Sequence, residues 1–286
     1  ASAVAMVLEW LRWQQKDRWR PERSILIAAF DAEEPPDFRT VAMGSQVFVD
    51  KPTIARERIQ AMVCLDLMGG DLWDGYRSPL FLMGLETFSH SPLADIAGLN
   101  AAVPQQWNLP IQPLHLRAIE DLPTGRRNFS DYGPFRDVEI PVAFLSTGRT
   151  KHYHQVTDRP ETLQYDKMAA GVHVLDHLMK RLADSSIPLA FSKEQPMHVA
   201  DAVAGLALHK AALGKVVGVP ASPEVSSLMR LRLQAAVKDL ENIVGDRASN
   251  EVLTPEQSET VVRASLRMQC VLAPNSLMPP AACLLL

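Results

Sequence analysis

Three short, nearly uninterrupted apolar stretches constrain this chain more than any other feature. They are residues 24–30 (SILIAAF), 59–67 (IQAMVCLDL) and 140–146 (IPVAFLS), each closed by charged or turn-forming residues. Runs of that length without polar alternation read as strands buried on both faces, which requires helices above and below a sheet. Helical patterns lie between them. Residues 1–19 space Val4, Val7, Leu8 and Leu11 along one stripe, Gly44–Asp50 reads as a short helix, and residues 166–183 form an amphipathic one. Leu80–Met83 adds a strand and residues 91–99 a helix. The fold class this implies is α/β, a three-layer α/β/α sheet domain.

After residue 184 the character changes. Helical patterns follow at residues 197–217, 223–245 and 255–271, with Ser222-Pro223 and Thr254-Pro255 as start signals. The chain therefore divides into a sheet domain, residues 1–183, and a helical extension, residues 184–286. It opens at Ala1 inside a helical pattern, with no leader, and is expected to be a fragment or a processed form. With 47% hydrophobic and 22% charged residues over 286 positions, it has material for a large core. Twenty-nine basic against 33 acidic residues leave no positive footprint for nucleic acid. No apolar run approaches the roughly 18 residues of a membrane span. Cys64, Cys270 and Cys283 lack paired spacing, so neither a disulfide framework nor a cysteine zinc site is expected.

Ligands of open α/β sheets bind beyond the carboxyl ends of strands, where loops converge. Three strand ends here carry groups able to bind metal: Glu33-Glu34, Asp66, and the loop with His152, Tyr153 and His154. Asp66 sits in Met62-Val63-Cys64-Leu65-Asp66-Leu67-Met68, where a lone charge is costly, so it needs a cation or hydrogen-bond donors. The competing reading is a cap on the Gly69-Gly70 turn. Glu33 and Glu34 would point to opposite faces of a strand and reach one site only if Pro35-Pro36 turns the chain. A metal would reconcile the pair, one carboxylate ligating and the other acting as base; a solvated acidic loop is the plainer reading. Either His152 or His154 can be the ligand, with Asp158 a candidate to orient it. The helical His173-Val174-Leu175-Asp176-His177 departs from the metal motif H-x-x-E-H by its shorter acid and reads as sheet cover. The terminal Cys283-Leu284-Leu285-Leu286 fits prenylation spacing by chance.

In order, these segments resemble the aminopeptidase Y and bacterial leucyl aminopeptidase family of two-zinc exopeptidases. The matching stretches include Phe30-Asp31-Ala32-Glu33-Glu34, Met43-Gly44-Ser45 and Cys64-Leu65-Asp66-Leu67-Met68-Gly69. They continue through Ser130-Asp131-Tyr132-Gly133 and residues 140–147 to Tyr153-His154-Gln155-Val156-Thr157-Asp158. The resemblance covers about residues 1–183. It implies that Glu33 is the general base and that Tyr153 hydrogen-bonds the oxyanion. By the same resemblance Glu34 and His154 ligate one zinc, and Asp66 the other. It also implies peptide substrates with a free N-terminus and a secreted or cell-envelope setting. The family's upstream His-x-Asp motif and bridging Asp have no counterpart, so the sheet domain is expected to be N-terminally truncated and to hold at most one zinc ion. Tyr132 replaces the family's usual His. Two rivals are carried: a non-catalytic binding or dimerisation module, its helical region forming a homo-oligomer, and a glutaminyl-cyclase-like acyltransferase.

Overall fold

The computed structural model describes residues 1–89, 96–122, 125–272 and 283. Four strands form the main sheet: β1 (Met62–Leu65), β2 (Leu80–Met83), β3 (Ile111–Leu114) and β6 (Val142–Ser146), in the order β1-β6-β2-β3. β1 runs parallel to β6 with Met62 opposite Val142 and Leu65 opposite Leu145. β2 is antiparallel to β6, with Phe81 opposite Ser146, and parallel to β3. A small hairpin, β4 (Asp121–Leu122) and β5 (Gly125–Arg126), stands apart.

Alternation along the strands sends side chains to two covered faces. Leu80, Leu82, Ala143 and Leu145 pack in one cluster with Met6 and Trp10 of helix α1 (Ser2–Asp17) and Leu175 and Leu178 of α6 (Tyr165–Ala183). Helix α3 (Ile96–Ala102) lies against α6 and β3. On the other face Cys64, Phe81, Met83 and Phe144 join Phe135 of α5 (Tyr132–Asp137) and Val49 of α2 (Gly44–Asp50). Leu233 of α8 (Ser227–Val244) and Met268 of α9 (Pro255–Leu272) complete that second core, next to Ala211 of α7 (Val199–Ala212). Helix α4 (Arg117–Glu120) follows β3 and packs against α9. The helical region thus shares a core with the sheet.

The first expected strand does not form. Residues 24–30 make no ladder, and Leu26 and Ile27 are 53% and 46% exposed. A strand needs a neighbour for its backbone donors and acceptors, and the outer edge of β1 does not pair with this segment. Arg23 ties it instead to the end of α6, donating to the carbonyls of Leu182 and Ser185. Cys270 and Cys283 form a disulfide, against the expectation from spacing, while Cys64 is free and buried. Residues 91–95 of the expected helix at 91–99 lie outside the described residues, as does the apolar tail apart from Cys283. No described helix is long and apolar enough to cross a membrane.

Candidate active site

β1 and β6 are parallel, so the loops that leave them emerge at the same end of the sheet. Asp66 follows β1 directly, and its position is set by two donors: the Leu67 amide at 2.7 Å and the Ser130 hydroxyl at 3.1 Å. Even so, burial raises its pKa above the usual carboxylate value. After β6 the chain turns at Gly148, whose φ of 83° is a left-handed conformation open to glycine at little cost. That turn delivers Arg149, Tyr153 and His154. The Arg149 guanidinium lies 4.6 Å from the centre of the Tyr153 ring, and the ring stacks on His154 at 3.8 Å.

Glu33 and Glu34 arrive from the third loop. Ala32 takes a φ of 52° and the chain bends through residues 34–38, so the two neighbours are free of strand geometry. The His154 imidazole donates from Nε2 to Glu34 Oε1 at 2.8 Å. Glu34, not Asp158, is therefore the partner of that ring. Glu33 is half-buried beside Asp66, Glu34 and Asp131; desolvation first and those negative charges second push its pKa up to about 8. The Arg149 charge opposes that rise. Burial, eased by these same carboxylates, in turn holds the Arg149 pKa below its ordinary value. Burial raises the Tyr153 phenol to about 12, so it is a proton donor throughout the neutral range.

Asp131 also stands in this group. Burial and the Asp66 charge raise its pKa, and its Oδ1 atom is buried without a hydrogen-bond partner. Reading strand ends in the sequence leaves out Arg149, Ser130 and Asp131. Position right after the Gly148 turn was the signal for Arg149; Ser130 and Asp131 were marked only by the family-like stretch Ser130-Asp131-Tyr132-Gly133, without a role. Tyr132, where a family His was expected, points away: it is fully buried and its hydroxyl donates to Glu120 at 2.9 Å. His152 turns aside to Thr157 at 3.0 Å. In α6, His173 packs against Trp13 and Trp107 while Asp176 accepts from Trp10, a structural use of that motif.

Carboxylates and imidazole are ordinary zinc donors, and the 2.8 Å between Glu34 Oε1 and His154 Nε2 is close to the separation of two ligands on one tetrahedral ion, about 3.3 Å. Asp66 is kept on separate hydrogen bonds. Among the described residues no group of three or more His, Cys, Asp or Glu side chains is arranged to hold a metal. The donor pair fits part of a zinc shell, not a whole one. Beside these residues a cavity of about 180 Å³ runs from Asp66 and Tyr153 along the sheet face beneath α7 and α9.

The family model for peptidase family M28 matches residues 1–179. The chain is also similar to the LapA aminopeptidase of Legionella pneumophila, with 17% identity over 65% of this chain and 46% of that one, at a TM-score of 0.46. It is similar to an aminopeptidase from Aneurinibacillus sp. strain AM-1, with 15% identity over 53% and 32% of the two chains and a TM-score of 0.35. For BSAP, a zinc aminopeptidase from Bacillus subtilis, the values are 14% identity, 53% and 36% coverage, and a TM-score of 0.34. The chain spans less than half the length of each of these structures. Comparison with curated proteins gives no match.

Proposed function

Because the chain belongs to peptidase family M28, we propose that it carries part of the active site of a zinc-dependent aminopeptidase of the aminopeptidase Y and bacterial leucyl aminopeptidase type. The observation that carries this reading is the meeting of Glu33-Glu34, Asp66 and Tyr153-His154, from three separate loops, at one end of the sheet. Glu34 and His154 would hold one zinc and Asp66 would contribute to a second. Zinc bound there would supply Lewis-acid chemistry, polarising the scissile carbonyl and acidifying water. With the positive charge of bound zinc offsetting the burial and the neighbouring carboxylates that raise its pKa, Glu33 would stay ionised, take the proton of the attacking water and return it to the departing amine. The Tyr153 hydroxyl donates to the carbonyl oxygen as negative charge develops there. Arg149, packed on the Tyr153 ring, restricts where that hydroxyl can point. A free substrate amine finds negative charge in the remaining carboxylates. Three ligands do not complete two zinc shells, so the reading requires further donors.

The test is zinc content and release of free N-terminal amino acid from a peptide, on the chain and on the longest reading frame that contains it. Glu33→Gln is expected to lower hydrolysis by about 10³-fold while zinc is retained. His154→Ala is expected to lose zinc. A second reading has its own observation: Arg149 already places a cation among Glu33, Glu34 and Asp66, which favours a non-catalytic binding module. That module could self-associate through α8, where Leu228 and Leu231 are exposed. No zinc uptake and no hydrolysis by either protein would establish it. Pyroglutamate formed from an N-terminal Gln peptide, without amino-acid release, would point to the cyclase instead.

A further inference from the structure

The cavity beside the carboxylates has a floor and a roof of different origin. Its floor is the sheet face, with Phe81, Met83 and Phe144; its roof is α7 and α9, with Leu208 and Met268. Residues of the roof lie outside the stretch that the family model matches. At about 180 Å³ it has room for on the order of ten water molecules, ample for the largest amino-acid side chain.

Asp66, Arg149 and Tyr153 stand at its mouth, and Ser146 and Ser265 also line it. Among the described lining residues only His209 and Gln269 carry a buried side-chain polar atom with no hydrogen-bond partner, and both atoms are acceptors. The His209 ring is buried, and its Nδ1 lies 2.7 Å from the Gly205 carbonyl, which can only accept; Nδ1 therefore carries the proton. Burial pushes the His209 pKa down to about 4, so the ring is neutral and Nε2 is a bare lone pair. Nε2 itself has no hydrogen-bond partner. Gln269 is oriented in the same way. Its amide nitrogen donates to the carbonyls of Ala118 at 3.3 Å and Ile119 at 3.1 Å, which leaves Oε1 buried and unpartnered. A buried acceptor left without a donor costs folding free energy. Two of them on residues that line one mostly apolar cavity call for a ligand that is mostly apolar and carries a proton donor.

We propose that this cavity receives the N-terminal side chain of the substrate and selects tyrosine and tryptophan, whose rings bear a donor, over phenylalanine and leucine. This rests on the aminopeptidase reading for the identity of the ligand, and on the cavity alone for its chemistry. His209 and Gln269 act as specificity-determining residues and take no part in bond breaking.

Binding of p-cresol and of toluene to the metal-free chain, followed by ligand-observed NMR titration, tests the chemistry without catalysis. The wild-type chain is expected to bind p-cresol about tenfold more tightly than toluene, one hydrogen bond to a buried acceptor. His209→Phe with Gln269→Met keeps the volume, removes both acceptors and is expected to reverse the order. The wild-type comparison stands even if that variant fails to fold. Where hydrolysis is found, tyrosyl-alanine is expected to be cleaved with a kcat/KM about tenfold above that of phenylalanyl-alanine. Toluene binding as tightly as p-cresol, or equal cleavage of the two dipeptides, overturns the selectivity and leaves the aminopeptidase reading intact. A preference for p-cresol with neither dipeptide cleaved by the zinc-loaded product of the longest reading frame overturns the aminopeptidase reading, and with it the assignment to a substrate side chain.

Discussion

Glu86 and His115 illustrate how single residues here carry charge into the core. Glu86 is 6% exposed and its Oε1 lies 3.2 Å from His115 Nδ1, while the Leu116 amide donates to the same oxygen at 2.9 Å. The Arg117 amide donates to His115 Nδ1, so the imidazole proton sits on Nε2, facing the Gln195 carbonyl at 3.0 Å. Burial raises Glu86 from 4.5 to about 7, so its charge enters the core only as pH rises through neutrality, and burial lowers the His115 pKa. The sign of the linkage follows. Unfolded Glu86 loses its proton near 4.5 and folded Glu86 only near 7, so the folded chain binds more protons between those values. Its contribution is fully present below about pH 4.5 and is lost as pH rises to 7, a change on the order of 3 kcal/mol. Glu86→Gln cannot titrate. Urea unfolding of both proteins at about pH 5 and about pH 8 should show the variant gaining relative to wild type at the higher pH. An equal pH response in the two would mean that Glu86 is ionised in the fold.

Among the elements, α6 shows the difference between periodicity and anchoring. Its apolar stripe was legible in the sequence, and Met168, Leu175 and Leu178 do face the sheet. The same helix buries Lys167, 1% exposed, and periodicity gives no reason for that. The Lys167 ammonium pairs with Asp71 and donates to the Gly70 carbonyl at 2.8 Å, and so pins the loop after β1 to the start of α6. Asp71 also accepts from the Ser78 amide at 3.0 Å. Lys167→Met should cost about 3 kcal/mol, because it strands a part-buried carboxylate. Adding Asp71→Asn to it should restore part of the loss. Thermal unfolding of the two variants checks this; equal stability in Lys167→Met and wild type would make the pair dispensable. Residues 24–30 show the converse. An apolar run has the composition of a strand, yet only a paired neighbour makes it one, and here it has none.

For the whole molecule, the helices after residue 184 complete a core and do not merely follow one. Leu233, Met268 and Ala211 pack in the cluster that holds Phe81, Met83 and Phe144 of the sheet. The Asp201 carboxylate of α7 accepts from the His115 amide at 2.7 Å, just beyond β3. Removing residues 197–286 should therefore expose the sheet face, with dye binding to apolar surface and self-association as the readouts. A monomeric product with cooperative unfolding would mean instead that residues 1–196 stand alone as a domain. The change in sequence character at 184 marks where strands cease. It does not by itself say whether the core is divided there.

The order of apolar runs and helical stripes determined the α/β class, most of the helices, and the two strand-end loops that hold Asp66 and His154; Glu33 lies in a loop that follows no strand. Those legible features are local properties, set by side-chain period and turn residues that any short window displays. Only the tertiary structure decided that His154 meets Glu34, that Arg149 and Asp131 join them, and that α7 and α9 roof a cavity with bare acceptors. Those arrangements rest on contacts between residues far apart in the chain: 120 positions separate Glu34 from His154, and 151 separate Ala118 from Gln269. Desolvation and hydrogen bonding act on distance in space, and a linear reading holds no term for it.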